Sequence, residues 1–189
     1  ILALAPAVKA GLIEPDVIVD SKSGVSGAGR SLSLGSHYSE VNEDVSAYSL
    51  GGHRHQPEIS QELAFLNPAR APKVTFIPHL IPMTRGILSA CHVRPTRPVT
   101  QPELDRLYAT AYTDEPFVTV MPTAPATKDV TGSNHVRIHV SLDTRTGRII
   151  VIAVEDNLVK GAAGQAIQAF NLVHGLPEAA GLEQLPLAP

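Results

Sequence analysis

Val136-Arg137-Ile138-His139-Val140-Ser141-Leu142 alternates apolar and polar residues without a break. Asp143-Thr144-Arg145-Thr146-Gly147-Arg148 then supplies a turn, and Ile149 to Val154 returns as an almost wholly apolar run. A period of two marks a half-exposed strand, and a turn of this composition between two such runs marks an antiparallel hairpin. Working outward, Val17-Ile18-Val19, Val74 to Ile77, Ile87 to Val93 and Phe117 to Met121 read as further strands. Helical spacing appears in Ile1 to Ala10, which Gly11 stops, and in Pro57 to Leu66. Thr100-Gln101-Pro102-Glu103 reads as a capping box opening a helix with Leu104, Leu107, Tyr108 and Ala111 on one face. A last helix follows Asp156-Asn157, with Ala163, Ile167 and Phe170 expected on its packed face. These elements predict an α+β fold: a mixed, mainly antiparallel sheet layered by helices on one face, with residues 1–189 as one domain.

Composition narrows the setting. The net charge is −3 and the 15 Lys and Arg are dispersed, so no basic stripe points to nucleic acid or an anionic membrane. No apolar run approaches the roughly 20 residues of a bilayer span, and the N-terminus lacks a signal-peptide pattern. One cysteine excludes an internal disulfide framework and fits a reducing, cytoplasmic setting. The first helix starts in mid-pattern without a capping residue, which leads to the expectation that these 189 residues are a piece of something longer.

Titratable groups crowd one stretch, Gly51-Gly52-His53-Arg54-His55-Gln56-Pro57-Glu58. Pro57 suits a first helical turn, which places His53, Arg54 and His55 just upstream of a helix N-terminus. A neutral imidazole there is able to take or give a proton near neutral pH. A solvated surface turn is the competing reading. Asp20 to Arg30 holds three glycines and three serines flanked by Lys22 and Arg30, the makings of an anion cradle or of an ordinary turn. The polar stretch Ser31 to Leu50 reads as a long ordered loop carrying Tyr38 and Tyr48 toward the His53 turn, and Pro78 to Gly86 as a connection ending near Arg85. Cys91 falls mid-strand and reads as core. His135 and His139 lack a third ligand in register, so no metal site is expected. Small residues after Asn157 leave room for a cofactor or another domain.

Taken together, Val19 to Arg30, the His53-Arg54-His55-Gln56-Pro57-Glu58-Ile59 turn, Pro78 to Ile87, and Asp156-Asn157-Leu158-Val159-Lys160-Gly161 resemble N-acetyl-gamma-glutamyl-phosphate reductases. The resemblance covers nearly the whole chain but only the C-terminal half of that family's enzyme. It implies the fold of the C-terminal domain of glyceraldehyde-3-phosphate and semialdehyde dehydrogenases, and a catalytic and dimerisation role in arginine biosynthesis. The family's N-terminal Rossmann domain and its Gly-Cys-Tyr-Pro-Thr segment, which carries the nucleophilic cysteine, are not among these residues; Ile1-Leu2-Ala3-Leu4 is similar to the helix after that cysteine. His53 matches the family's acid/base position. By the same resemblance Ser23, Arg54, His55 and Glu58 are expected at the substrate, an acyl phosphate. Arg85 is expected on its carboxylate or phosphate, since a planar fork matches either anion. Ser26, Gly27, Ala28 and Asn157 are expected at the nicotinamide end of NADP(H). The missing dinucleotide-binding domain and further copies of the chain in a homo-oligomer are the implied partners. Rival readings are a sister reductase of carrier-linked aminoadipyl phosphate, an assembly module without catalysis, and a His-rich metal-binding domain.

Overall fold

A computed structural model describes residues 1–187. Seven strands form one sheet: β1 (Ile13–Ser23), β2 (Ser46–Ala47), β3 (Lys73–Leu80), β4 (Ile87–Pro95), β5 (Val118–Val120), β6 (Val136–Asp143) and β7 (Arg148–Glu155). Their order is β2-β3-β1-β4-β7-β6-β5. Only β1 with β3 and β5 with β6 pair in parallel; the other four pairings are antiparallel. The expected mixed, mainly antiparallel sheet is therefore present. Its hairpin β6–β7 closes through Asp143, whose carboxylate accepts from Arg145 N at 3.1 Å and Thr146 Oγ1 at 2.9 Å. An Asp that bonds its own following backbone makes such a turn self-sufficient.

Three of the helices, α1 (Ala5–Lys9), α3 (Gln56–Leu66) and α4 (Gln101–Ala111), cover one sheet face, while α2 (Tyr38–Val41) lies in a loop and α5 (Gly164–Val173) follows β7. Strand register puts Val17, Val19, Cys91, Val93, Val136, Ile138, Val140, Ile149 and Val151 on the covered face, where they pack with Leu4, Leu63, Leu104 and Tyr108 into one core. On the opposite face Ile18, Ile77, Leu88, Ile150 and Ile152 are half-buried beside Asp20, Lys22, His79, His92, Arg137 and His139.

Several boundaries differ from those read off the residues. β1 continues through Asp20-Ser21-Lys22-Ser23, so Lys22 alternates onto the open face and donates to Asp20 Oδ1 at 2.7 Å instead of flanking an anion cradle. β3 runs on through Pro78 to Leu80. The N and O of one strand residue point to the same side, and Tyr48 N donates to Pro78 O at 3.1 Å, so the N–H that Pro78 lacks faces the sheet edge and not β1. Thr100 makes no side-chain cap, and the Glu103 carboxylate pairs with Arg97. On α5 the buried residues are Gly164, Gln168 and Asn171, whereas Ile167 and Phe170 are 44% and 55% exposed.

Leu104 is fully buried where α4 meets the sheet. Leu104→Ala is expected to cost about 3 kcal/mol, the range for a buried leucine leaving a partly relaxed cavity, read as a lower urea midpoint at unchanged slope.

Candidate active site

Two clusters form along the sheet, one over the first half of β3 and one at the end where β1, β3 and β7 finish. The first is built on the entry to α3. Gln56 Nε2 donates to Val74 O at 3.1 Å and Gln56 N to His53 O at 2.9 Å, which pins the turn to β3. The His53 ring lies 5.4 Å from the Phe76 ring, 4.8 Å from His55 and 5.7 Å from Tyr48, each edge-on. Its Nδ1 accepts from His55 N at 3.1 Å, so the neutral ring carries its proton on Nε2. Burial, then the charges of His55 and Arg54, hold His53 below the ordinary histidine pKa. Arg54, His55 and Glu58 are exposed around it; Tyr48 reaches the turn, and Tyr38 is 78% exposed.

The second cluster ties three segments distant in sequence. After Ser23 the chain enters a 3-10 turn, Val25–Ala28. Gly24 N, Val25 N and Ser26 N donate to Gly86 O, Met83 O and Thr84 O at 2.9 to 3.1 Å. The approach is so close that a Cβ on Gly24 would lie 2.8 Å from Arg85 N and 2.9 Å from Met83 O. Gly86, at φ +106°, likewise leaves only 2.9 Å between a Cβ and Thr127 Cβ. From the end of β7, Asn157 Oδ1 accepts from Gly86 N at 2.7 Å while its Nδ2 donates to Ser26 Oγ at 2.9 Å. Ser23, Ser26, Gly27, Arg85 and Asn157 thus meet in one place.

Asp156, named in sequence reasoning only as part of a motif, organises this knot. Its side chain is 0% exposed. Oδ2 accepts from Gly132 N at 2.6 Å and lies 2.9 Å from Arg85 Nε; Oδ1 accepts from Leu158 N at 2.8 Å and Val159 N at 3.1 Å. Burial pushes its pKa up, but the three N–H donors and Arg85 together outweigh it and bring the carboxyl below the ordinary aspartate value. Arg85 is consequently anchored by an internal carboxylate, with about a third of its side chain still exposed.

Phe76 is in register with Val19, and Ser23 lies four residues further along the same face of β1. On the order of 13 Å of strand therefore separates the clusters. The sole cysteine, Cys91, is buried in the core, which pushes its thiol up to about 11. Among the described residues no three His, Cys, Asp or Glu side chains group as metal ligands, and no helix is long and apolar enough to cross a membrane.

The family model for the semialdehyde dehydrogenase dimerisation domain matches residues 1–157. The chain belongs to that family. This family member is 52% identical, over all of its own length and 56% of the relative's, to the N-acetyl-gamma-glutamyl-phosphate reductase of Geobacillus kaustophilus. It is 53% identical to the Geobacter metallireducens protein of that name, again over all of this chain and 56% of the relative. It spans little more than half the length of the curated relatives it matches. Its fold is similar to aspartate semialdehyde dehydrogenase II of Vibrio cholerae, with TM-score 0.68, 19% identity, and 92% of this chain and 58% of that one covered. It is also similar to a probable aspartate-semialdehyde dehydrogenase of Pseudomonas aeruginosa, with TM-score 0.69, 16% identity, and 91% and 58% covered.

Asp156→Ala strands three N–H donors and one guanidinium. It is expected to destabilise by about 3 kcal/mol at neutral pH. Because the native pKa lies below the unfolded one, the wild-type advantage is complete above about pH 4. It disappears as pH falls through the native value, which paired denaturation curves from pH 7 to 2 will show.

Proposed function

We propose that this chain is the catalytic and dimerisation part of an NADPH-dependent, cytoplasmic N-acetyl-gamma-glutamyl-phosphate reductase that yields N-acetylglutamate 5-semialdehyde and phosphate in arginine biosynthesis. The observation that carries the reading is identity of about one half along the whole chain to relatives of that name. In this reading a thiolate on a segment upstream of Ile1 attacks the acyl-phosphate carbon, and the C–O bond to phosphate breaks with its electron pair leaving on phosphate. NADPH, when bound, would supply the hydride that takes the resulting thioester to the aldehyde level; the C–S bond then breaks with its electron pair leaving on sulfur, which frees the semialdehyde and restores the thiolate. The residues present fit the dinucleotide: a Cβ on Gly27 would lie 3.2 Å from Ser23 Oγ and 3.4 Å from Asn157 Nδ2, a recess that stays open only because the residue is glycine. Ser26, Gly27, Ala28 and Asn157 would hold its carboxamide end.

His53 supplies the proton chemistry. To act as a base at Nε2 it must carry its proton on Nδ1 and give up the bond from His55 N. To act as a donor it needs no change, so the geometry favours hydrogen bonding from Nε2 to the oxygen that gains charge at the acyl carbon. Arg54 and His55 are exposed beside it for an anionic substrate, as is Glu58 for a polar group. Arg85, held by Asp156, keeps its exposed outer edge for a carboxylate or phosphate. The outward apolar residues of α5, Ile167 and Phe170, suit cover by the dinucleotide-binding domain. The open sheet face suits a second copy, in keeping with a dimerisation-domain family.

In the full-length enzyme His53→Ala is expected to lower turnover about 10²- to 10⁴-fold, while Cys91→Ser leaves turnover of the folded enzyme within about twofold. Full-length protein that fails to reduce N-acetyl-gamma-glutamyl phosphate with NADPH overturns the reading. A charge on the open face, Ile152→Glu, is expected to shift the enzyme toward monomer in sedimentation velocity.

A further inference from the structure

α1 has five residues, too few to hold a direction by itself. Its first turn is also short of hydrogen bonds. Ala5 N reaches Ile1 O at 3.0 Å and Val8 N reaches Leu4 O at 3.0 Å, but Pro6 has no N–H for Leu2 O, and among the described residues no backbone N–H reaches Leu2 O or Ala3 O. Two phenols from the end of α4 take over. The Tyr108 hydroxyl donates to Ala3 O at 2.8 Å and the Tyr112 hydroxyl donates to Leu2 O. Tyr108 lies in the last turn of α4 and Tyr112 is its C-cap, its N–H bonded to Tyr108 O, so two consecutive carbonyls are gripped from one helix end. Burial raises both phenols above the ordinary tyrosine pKa, which keeps them donors throughout the working range.

We propose that Tyr108 and Tyr112 are positioning residues for the reductase reaction: by holding the carbonyls of Leu2 and Ala3 they set where the segment preceding Ile1 enters the site, and so where its thiol sits relative to His53. This rests on the reading above, in which a thiol-bearing segment precedes Ile1. The phenols touch neither substrate nor thiol; they act through two peptide groups. Reaction rates are sensitive to such placement, a misplacement of about 1 Å costing up to about 10²-fold.

The test uses the full-length enzyme, with Tyr112→Phe as the main variant because Tyr112 is only half-buried and Tyr108 is part of the core. Expected are a fall in kcat of about tenfold or more, KM for NADPH within about twofold, and an upward shift in the pH dependence of iodoacetamide alkylation of the upstream thiol. Pro6→Ala returns a backbone N–H opposite Leu2 O, and in the Tyr112→Phe background it should restore much of kcat and of the alkylation profile. A Tyr112→Phe enzyme with a lower Tm but wild-type kcat and alkylation overturns the proposal, leaving a structural bond only. Failure of Pro6→Ala to restore either readout overturns the route through the carbonyl. If the wild-type enzyme reduces no acyl phosphate, the reaction reading falls separately, and the alkylation profile alone decides for or against the tyrosines. A full-length chain with no cysteine before Ile1 overturns both.

Discussion

One buried carboxylate holds the second cluster in place. Asp156 leaves β7 with no exposed surface and satisfies Gly132, Leu158 and Val159 while facing Arg85. An isolated anion in such a position would be prohibitively desolvated, so its four partners cannot drift independently of it. The four partners belong to three parts of the chain: Gly132 to the turn after the short 3-10 segment Thr127–Val130, Leu158 and Val159 to the start of the last helical stretch, and Arg85 to the connection between β3 and β4. The neighbouring Asn157 then inherits a fixed origin, from which one amide reaches both Gly86 N and Ser26 Oγ. Ser26 is half-buried and Gly27 exposed, yet the turn they belong to is held because Gly24 admits nothing between itself and residues 83–85.

A comparable inversion of the usual inside-outside rule governs the end of the chain. Gln168 lies inward, its Oε1 accepting from Lys160 Nζ at 2.6 Å and Asn134 Nδ2 at 2.9 Å, its Nε2 donating to Glu178 Oε1 at 2.6 Å. Burial lowers the Lys160 pKa, and the carboxylates of Glu155, Glu178 and Glu115 pull the other way, so the ammonium is kept by charges that do not touch it. Asn171 Nδ2 adds bonds to Glu178 O and Ala180 O at 3.0 Å each. With its polar stripe spent on these partners, α5 presents Ile167, Phe170 and Val173 outward, an apolar face that an isolated domain has no reason to keep.

Periodicity reads what is local, and it read the hairpin, the strand around Cys91 and, on α4, Leu104 and Tyr108, because there the apolar spacing and the final burial coincide, whereas Ala111 at the end of that stripe is exposed. It fails where a polar residue is buried by a partner far away in sequence. Ser21 faces inward in β1 because Ser89, 68 residues on, shares a hydrogen bond with it at 2.7 Å, so a strand ending Asp-Ser-Lys-Ser has the composition of a loop. The face of α5 is missed for the same reason, since nothing in the spacing of Gln168 and Asn171 announces Lys160, Asn134 or Glu178. Of the candidate site, the density of imidazoles before α3 marks the turn, and the glycines near Ser26 mark a close approach. Neither signal carries the partner of Arg85 or the donor to His53 Nδ1, because both depend on how the backbone closes and not on which residues adjoin.

The separation of the two clusters is itself informative about how such a site works. A ring held by Phe76 and by its own following amide, and an amide held by Gly86 and Ser26, are fixed to strands of one sheet, so the interval between them is set by register and cannot close by a loop motion. In the reading proposed above, substrate is brought to a gap set by strand register, and the thiol and the hydride approach its carbon from different supports. The first turn of α1, packed on α3 and α4 and gripped by two phenols, is the remaining support on that side. On that reading, rigid sheet ends and a braced first turn of α1 make precision a property of the fold, and leave binding energy free to exclude water and to hold substrate in the gap.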